Sequence, residues 1–168
     1  QALAQSTKRL DVAAAALTKE RQRSAAQLSK QITAHIRDLA MPNGSFQIAL
    51  TPLERFAPSG RDEVRFMFSG NLGEPLSELE KVASGGELSR IALAMKTVLM
   101  HTSEVGTMVF DEIDTGVGGI TAQKMAEKIA AIATVGQVLC ITHLPQIAAF
   151  ADNHIYIEKR SSEGRTAT

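Results

Sequence analysis

Ser84-Gly85-Gly86-Glu87-Leu88, followed in the chain by Thr107-Met108-Val109-Phe110-Asp111-Glu112, is the most informative stretch of this sequence. The first run sets a serine and two glycines directly before a helical pattern. Leu88, Ile91, Ala92, Met95, Val98 and Leu99 form one apolar face through to about Met100. The second run is an apolar strand that ends in two adjacent carboxylates. Val138-Leu139-Cys140-Ile141-Thr142-His143 is another apolar strand, this one ending in a histidine. Between the strands, Gly116, Gly118 and Gly119 lead into a helix whose buried face is expected to be Ala122, Met125, Ile129 and Ile132. Strand, helix, strand of this size predicts a right-handed crossover with parallel strands. Ligands in such sheets gather beyond the carboxyl ends of the strands, and Asp111, Glu112 and His143 all fall at that edge.

Each element has a structural explanation beside the chemical one. Serine at a helix start with glutamate three residues on is a capping box. That role does not need two consecutive glycines, which cost conformational entropy but let backbone N–H groups approach an anion closely. One carboxylate at a strand end commonly caps the next turn. Two in a row beside buried surface resist desolvation, and a hydrolytic nucleotide site needs both an oxygen ligand for Mg²⁺ and a group that orients water. Asp114 is best read as a cap for the following helix. His143 alone reads as a satisfied polar histidine, but beside Asp111-Glu112 an imidazole is placed to sense a γ-phosphate. One part is absent: no glycine is followed by lysine, so no Gly-x-x-x-x-Gly-Lys-Ser/Thr phosphate loop occurs. These residues read as half of an ATPase site.

Composition sets the bounds. The chain of 168 residues is 44% hydrophobic and 21% charged, enough for one domain with a core plus an appendage. No run of about 18 apolar residues is present to span a membrane. The polar N-terminus does not fit a secretory signal. A single cysteine, Cys140, supports neither a disulfide framework nor a zinc site, and points to a cytoplasmic compartment. The net charge of zero hides an asymmetry: residues 1–40 carry seven Lys/Arg against three Asp/Glu, and the remainder eleven against fifteen. That basic segment fits a solvated helix face as well as a nucleic-acid contact.

Residues 1–39 contain no proline or glycine. Leu3, Leu10 and Leu17 recur every seven residues, and Leu28, Ile32, Ile36 and Leu39 continue a three-to-four spacing. This predicts a coiled-coil helix with a register shift near residues 21–25. Met41-Pro42-Asn43-Gly44 stops it. Phe46, Ile48 and Leu50, then Val64, Phe66 and Phe68, alternate with polar or small residues as two strands of a hairpin around a turn at residues 57–62. Residues 71–81 read as a polar loop. A short helix is expected from Pro145 and a final strand from His154 to Glu158.

Taken together, Ala83-Ser84-Gly85-Gly86-Glu87 resembles the signature motif of ABC-type ATPase heads, Met108 to Glu112 their Walker B strand, and His143 their switch histidine. The entering coiled coil narrows the resemblance to the chromosome-maintenance branch, where a stalk interrupts the ATPase. Glu74-Pro75-Leu76, Val82 to Arg90, Phe110 to Gly119 and Thr142-His143-Leu144-Pro145-Gln146 are similar to the RecN family of bacterial DNA-repair proteins. The resemblance implies an α/β fold: the C-terminal lobe of an ABC-type head at residues 41–168, its partly parallel sheet flanked by helices, after the end of a stalk helix at residues 1–40. It implies a cytoplasmic, nucleoid-associated factor for double-strand-break repair and recombination. Its cofactors would be ATP and Mg²⁺. Its partners would be an N-terminal ATPase lobe carrying the phosphate loop, a second head in a homodimer, and DNA, with no membrane. Ser84, Gly85, Gly86 and Glu87 would meet nucleotide in trans, Asp111 would hold the Mg²⁺ shell, Glu112 would polarise the attacking water and His143 would read the γ-phosphate. The chain alone would then be inactive as an ATP hydrolase. Many ABC proteins carry an aspartate after Walker B where this chain has Gly118, which cannot make that contact across the dimer. Two other readings stand beside this one: another chromosome-maintenance-type ATPase, or a nonenzymatic coiled-coil interaction module with decayed motifs.

Overall fold

The structure, a computed structural model, describes residues 2–82, 84–100, 102, 106–158, 160–162 and 165–167. Helix α1, Ala2–Asp38, runs for 37 residues, about 55 Å at 1.5 Å per residue. It ends where Ala40 takes a left-handed φ of 62° before Pro42. Leu3, Leu10 and Leu17 are exposed along its first half. Ile32, Ile36 and Leu39, which the sequence reads as a continuation of the same seam, are instead buried in the core with Phe46 and Phe68. The leucines of the first half of α1 are thus exposed, while its apolar residues from Ile32 onward belong to the core.

Strands β1, Ser45–Ala57, and β2, Gly60–Ser69, form the expected antiparallel hairpin, with Phe46 opposite Phe68 and Leu50 opposite Val64. The hairpin runs back beside α1. Near its tip, Asp62 is buried and accepts from the Thr18 hydroxyl at 2.8 Å and from Arg21 at 3.2 Å. The expected loop at 71–81 contains more structure than its polar composition signals. Ser77–Glu78 is a short strand, β3, paired with β2 at Met67 and Phe68, and Leu79–Val82 is a helical turn, α2.

Helix α3, Gly85–Leu99, leads to β4, Thr107–Phe110; α4, Gly119–Ala133, leads to β5, Gln137–Cys140. Strands β4 and β5 pair in parallel, Phe110 opposite Cys140. One face of this pair joins the core through Phe110, Met108, Val138 and Cys140. The other face, Val109, Leu139 and Ile141, is exposed. Helix α4 buries the expected Ala122, Met125, Ile129 and Ile132, with Ala126. Helix α3 departs from expectation. Its buried residues are Arg90, Ile91, Leu93 and Ala94, while Leu88 and Ala92 are exposed. The buried arc is rotated because the helix packs against both α1 and α4. Lys124 and Lys128 of α4 also reach Asp38 of α1, at 3.0 and 3.3 Å.

Helix α5, Pro145–Ala148, opens on proline as expected. The strand expected at residues 154–158 is not formed. A strand needs a neighbour for its backbone groups, and this segment lies in solvent, with Tyr156 86% exposed. The terminal pairing is instead a hairpin of β6, Arg160–Ser162, and β7, Arg165–Ala167. No helix among the described residues is long and apolar enough to cross a membrane.

Candidate functional site

Ser84 caps α3 from extended backbone. The Glu87 carboxylate accepts from the Ser84 amide at 2.9 Å and from its hydroxyl at 2.8 Å, and the Glu87 amide donates to the Ser84 hydroxyl at 3.4 Å. This completes the capping box. The Ser84 backbone N–H, with a lesser contribution from the hydroxyl, holds the Glu87 carboxyl below its ordinary value against the opposing effect of burial. Glu87 is therefore turned back onto the cap. Ala83 lies outside the described residues.

The glycine pair has a packing reason as well as a ligand-binding one. A Cβ at Gly85 would stand 3.3 Å from the Glu112 carboxylate, and one at Gly86 would stand 3.3 Å from the Glu112 carbonyl. Two glycines thus let the turn after β4 lie directly against the start of α3. Ser84–Gly86 and Glu112, separate in sequence, meet in the fold.

Glu112 itself sits at φ 55°, a left-handed conformation that costs a residue with a Cβ roughly 1–2 kcal/mol. Its amide donates to its neighbour's side chain, Asp111 Oδ1, at 2.9 Å, and its carbonyl accepts from the Thr115 amide at 3.3 Å. Helix α3 supplies two further bonds. The Ser89 hydroxyl donates to the Asp111 carbonyl at 3.0 Å, and Arg90 Nη1 donates to the Thr115 carbonyl at 3.1 Å. Burial lowers Arg90 from its ordinary value, opposed by the Glu87 carboxylate.

The parallel register carries both strand ends to one edge, where the Ile141 amide donates to the Phe110 carbonyl at 2.9 Å. The His143 ring is largely exposed there. Its anchor is Asp114, a residue that sequence reasoning assigned to the cap of α4. That helix is capped by Gly118 without a side-chain bond. Asp114 is only 3% exposed, and its Oδ2 accepts from the Thr142 hydroxyl at 2.6 Å and the His143 amide at 3.1 Å, with His143 Nδ1 at 3.2 Å. Burial pushes the Asp114 carboxyl upward, but these donors outweigh it and hold it below its ordinary value. The signal that could have found this role is the Thr-His pair itself, which offers two donors to one carboxylate. Removing the acceptor in Asp114→Ala leaves the Thr142 hydroxyl and His143 amide unpaired, an expected loss of about 1–3 kcal/mol in denaturant unfolding. Because the Asp114 value is depressed, its contribution is present above the unfolded carboxyl value and is lost as pH falls below about 4. An Asp114→Ala protein as stable as the parent at pH 7 would show the bonds to be idle.

Among the described residues no group of three or more His, Cys, Asp and Glu gathers to hold a metal. Asp111 and Glu112 are exposed, adjacent carboxylates. That donor set fits Mg²⁺, which characteristically takes one or two carboxylates and completes its shell with water and phosphate oxygens. Burial, with lesser contributions from Asp114 and Asp111, pushes the Cys140 thiol up to about 11, as befits a small packing residue.

No protein-family model matches the chain. It is 47% identical over 163 residues, 95% of its length, to the DNA repair protein RecN of Halalkalibacterium halodurans. It is 56% identical over 109 residues, 65% of its length, to the DNA repair protein RecN of Bacillus subtilis. The chain spans 29% and 19% of these two relatives. Among solved structures, the Smc head domain with an extended coiled coil, from Pyrococcus furiosus and bound to the C-terminal domain of ScpA, superposes with a TM-score of 0.55. That match has 23% identity and covers 79% of this chain and 31% of the other. The structural likeness shows the fold, an α/β head that a long helix enters. By sequence, the chain belongs to the RecN family and matches the C-terminal part of those proteins.

Proposed function

We propose that the chain is the C-terminal lobe of an ABC-type ATPase head in a DNA double-strand-break repair and recombination factor, preceded at residues 1–40 by the end of its stalk helix. Residues 18–38 of that helix lie along the lobe, and the exposed Leu3, Leu10 and Leu17 are the seam offered to a second stalk strand. In this reading Ser84, Gly85 and Gly86 meet the γ-phosphate of a nucleotide held by a partner head, with Glu87 setting the cap that presents them. Asp111 contributes to the Mg²⁺ shell, Glu112 orients the attacking water, and His143 reads the γ-phosphate. Bound Mg²⁺ supplies charge neutralisation across the phosphates. The observation that supports the reading most strongly is the placement of the Asp111-Glu112 turn and His143 together at the carboxyl ends of the paired strands β4 and β5.

A second observation supports an N-terminal lobe as partner. Parallel sheets occur almost only with both faces covered, yet here Val109, Leu139 and Ile141 stand bare on a two-stranded pair. In the proposed assembly the other lobe, carrying the phosphate loop, covers that face. ATP is sandwiched between two such heads, and the protein acts in the cytoplasm at the nucleoid. Residues 1–168 alone are expected to show no measurable ATP hydrolysis, lacking the lysine and the nest of amides that grip the β- and γ-phosphates. Adding the N-terminal lobe is expected to create turnover. Robust Mg²⁺-dependent hydrolysis by a clean preparation of the chain alone would contradict the half-site reading.

A further inference from the structure

One helix grips the β4–α4 connection on both sides of Glu112. Ser89 holds the Asp111 carbonyl before it, and Arg90 holds the Thr115 carbonyl after it. Between the two grips lies the one left-handed non-glycine residue of the site. Arg90 is the unusual member. It is 8% exposed, and its Nε is buried with no hydrogen-bond partner. A leucine or methionine would fill the same space without stranding a donor, so packing alone does not explain a guanidinium here. What a guanidinium adds is the bond from Nη1 to the Thr115 carbonyl. The platform is rigid, since Ile91, Leu93 and Ala94 on the same helix are buried in the core.

We propose that Ser89 and Arg90 are positioning residues that hold the Glu112 turn in its left-handed conformation and so aim its carboxylate. Neither contacts nucleotide. The proposal rests on the reading of Glu112 as the water-orienting group. Backbone strain of this kind persists only where the surroundings over-determine it. Here two side-chain-to-carbonyl bonds from a core helix do so, and the glycine pair leaves the turn room to sit. Without them the turn relaxes and the carboxylate leaves its place beside Gly85.

The test is steady-state ATP hydrolysis by the full-length protein in the variants Arg90→Gln, Arg90→Lys and Ser89→Ala, alongside Glu112→Gln. Arg90→Gln is expected to lower kcat by about 10- to 100-fold, because a displacement of about 1 Å is enough to cost that much. KM for ATP and ATP-dependent dimerisation should stay unchanged, the pattern of an interaction that matters only in the transition state. Arg90→Lys, whose longer side chain can still carry a donor to the Thr115 carbonyl where the shorter glutamine amide falls short, should return kcat to within about 3-fold of the parent, and Ser89→Ala should lower it by about 3- to 10-fold. An arginine with a merely structural role would lose dimer along with kcat and would gain nothing from lysine. Slow turnover in Glu112→Gln beside Arg90→Gln or Ser89→Ala within a factor of about two of the parent overturns the proposal alone. Normal turnover in Glu112→Gln overturns the assignment of that carboxylate, and the proposal with it. If Arg90→Gln fails to fold, Ser89→Ala, which removes only a hydroxyl, decides the question.

Discussion

In the full-length protein, Glu112→Gln is expected to slow ATP hydrolysis by about 10²-fold or more while leaving ATP binding nearly intact. The substitution keeps the size and hydrogen-bonding capacity of the side chain and removes only its ability to draw a proton or orient water as an anion. Glu112 is exposed at the end of β4, and the turn that carries it is fixed by bonds to its backbone and its neighbours. The fold should therefore tolerate the change, and the ATP-bound dimer should accumulate. Turnover within a factor of about two of the parent would show that another group orients the water.

Ser84→Arg should have an effect as large by a different route. A long side chain at the start of α3 blocks the close approach of a γ-phosphate held by another head. The cap it removes is worth only about 1 kcal/mol, and Ser84 is exposed, so the fold should survive. ATP binding by the other lobe is expected to be normal, while ATP-dependent dimerisation and hydrolysis are both lost. Light scattering with and without ATP reads the first and phosphate release the second. A variant that still dimerised on ATP and turned it over would reduce the glycine pair to a packing device for the Glu112 turn.

Much of the scaffold around these residues was legible in the chain because one force dominated each segment. Helix α4 shows a 3.6-residue apolar period without conflict, so Ala122, Met125, Ile129 and Ile132 were assigned to the core and are found there. The two apolar runs ending in Asp111-Glu112 and Thr142-His143 could only be strands whose polar ends share an edge, and the parallel register brings them together. The readings that failed are those where a long-range partner outvoted the local pattern. Arg90 is buried against the rule that charge stays outside, because it reaches a carbonyl 25 residues away. Asp114 looked like a helix cap and is instead the acceptor for a Thr-His pair on the next strand. The alternation at residues 154–158 has strand character, but among the described residues no neighbour pairs with it. Leu28 to Leu39 keep helical spacing whether they face a stalk partner or a core, and only the fold tells which.

In the proposed assembly Ser84 on one head and Glu112 on the other complete the same site. The most direct test mixes two full-length variants, Ser84→Ala, whose short side chain leaves the heads free to close, and Glu112→Gln, before ATP is added, and measures hydrolysis against each alone. Each variant spoils both sites of its own dimer. In a mixed dimer one site inherits both lesions and the other inherits neither. Random exchange between equal amounts should therefore restore roughly a quarter of parental turnover, from the half of dimers that are mixed and the one intact site in each. Activity in the mixture no higher than the average of the separate variants would mean that the two residues do not share a site across the dimer.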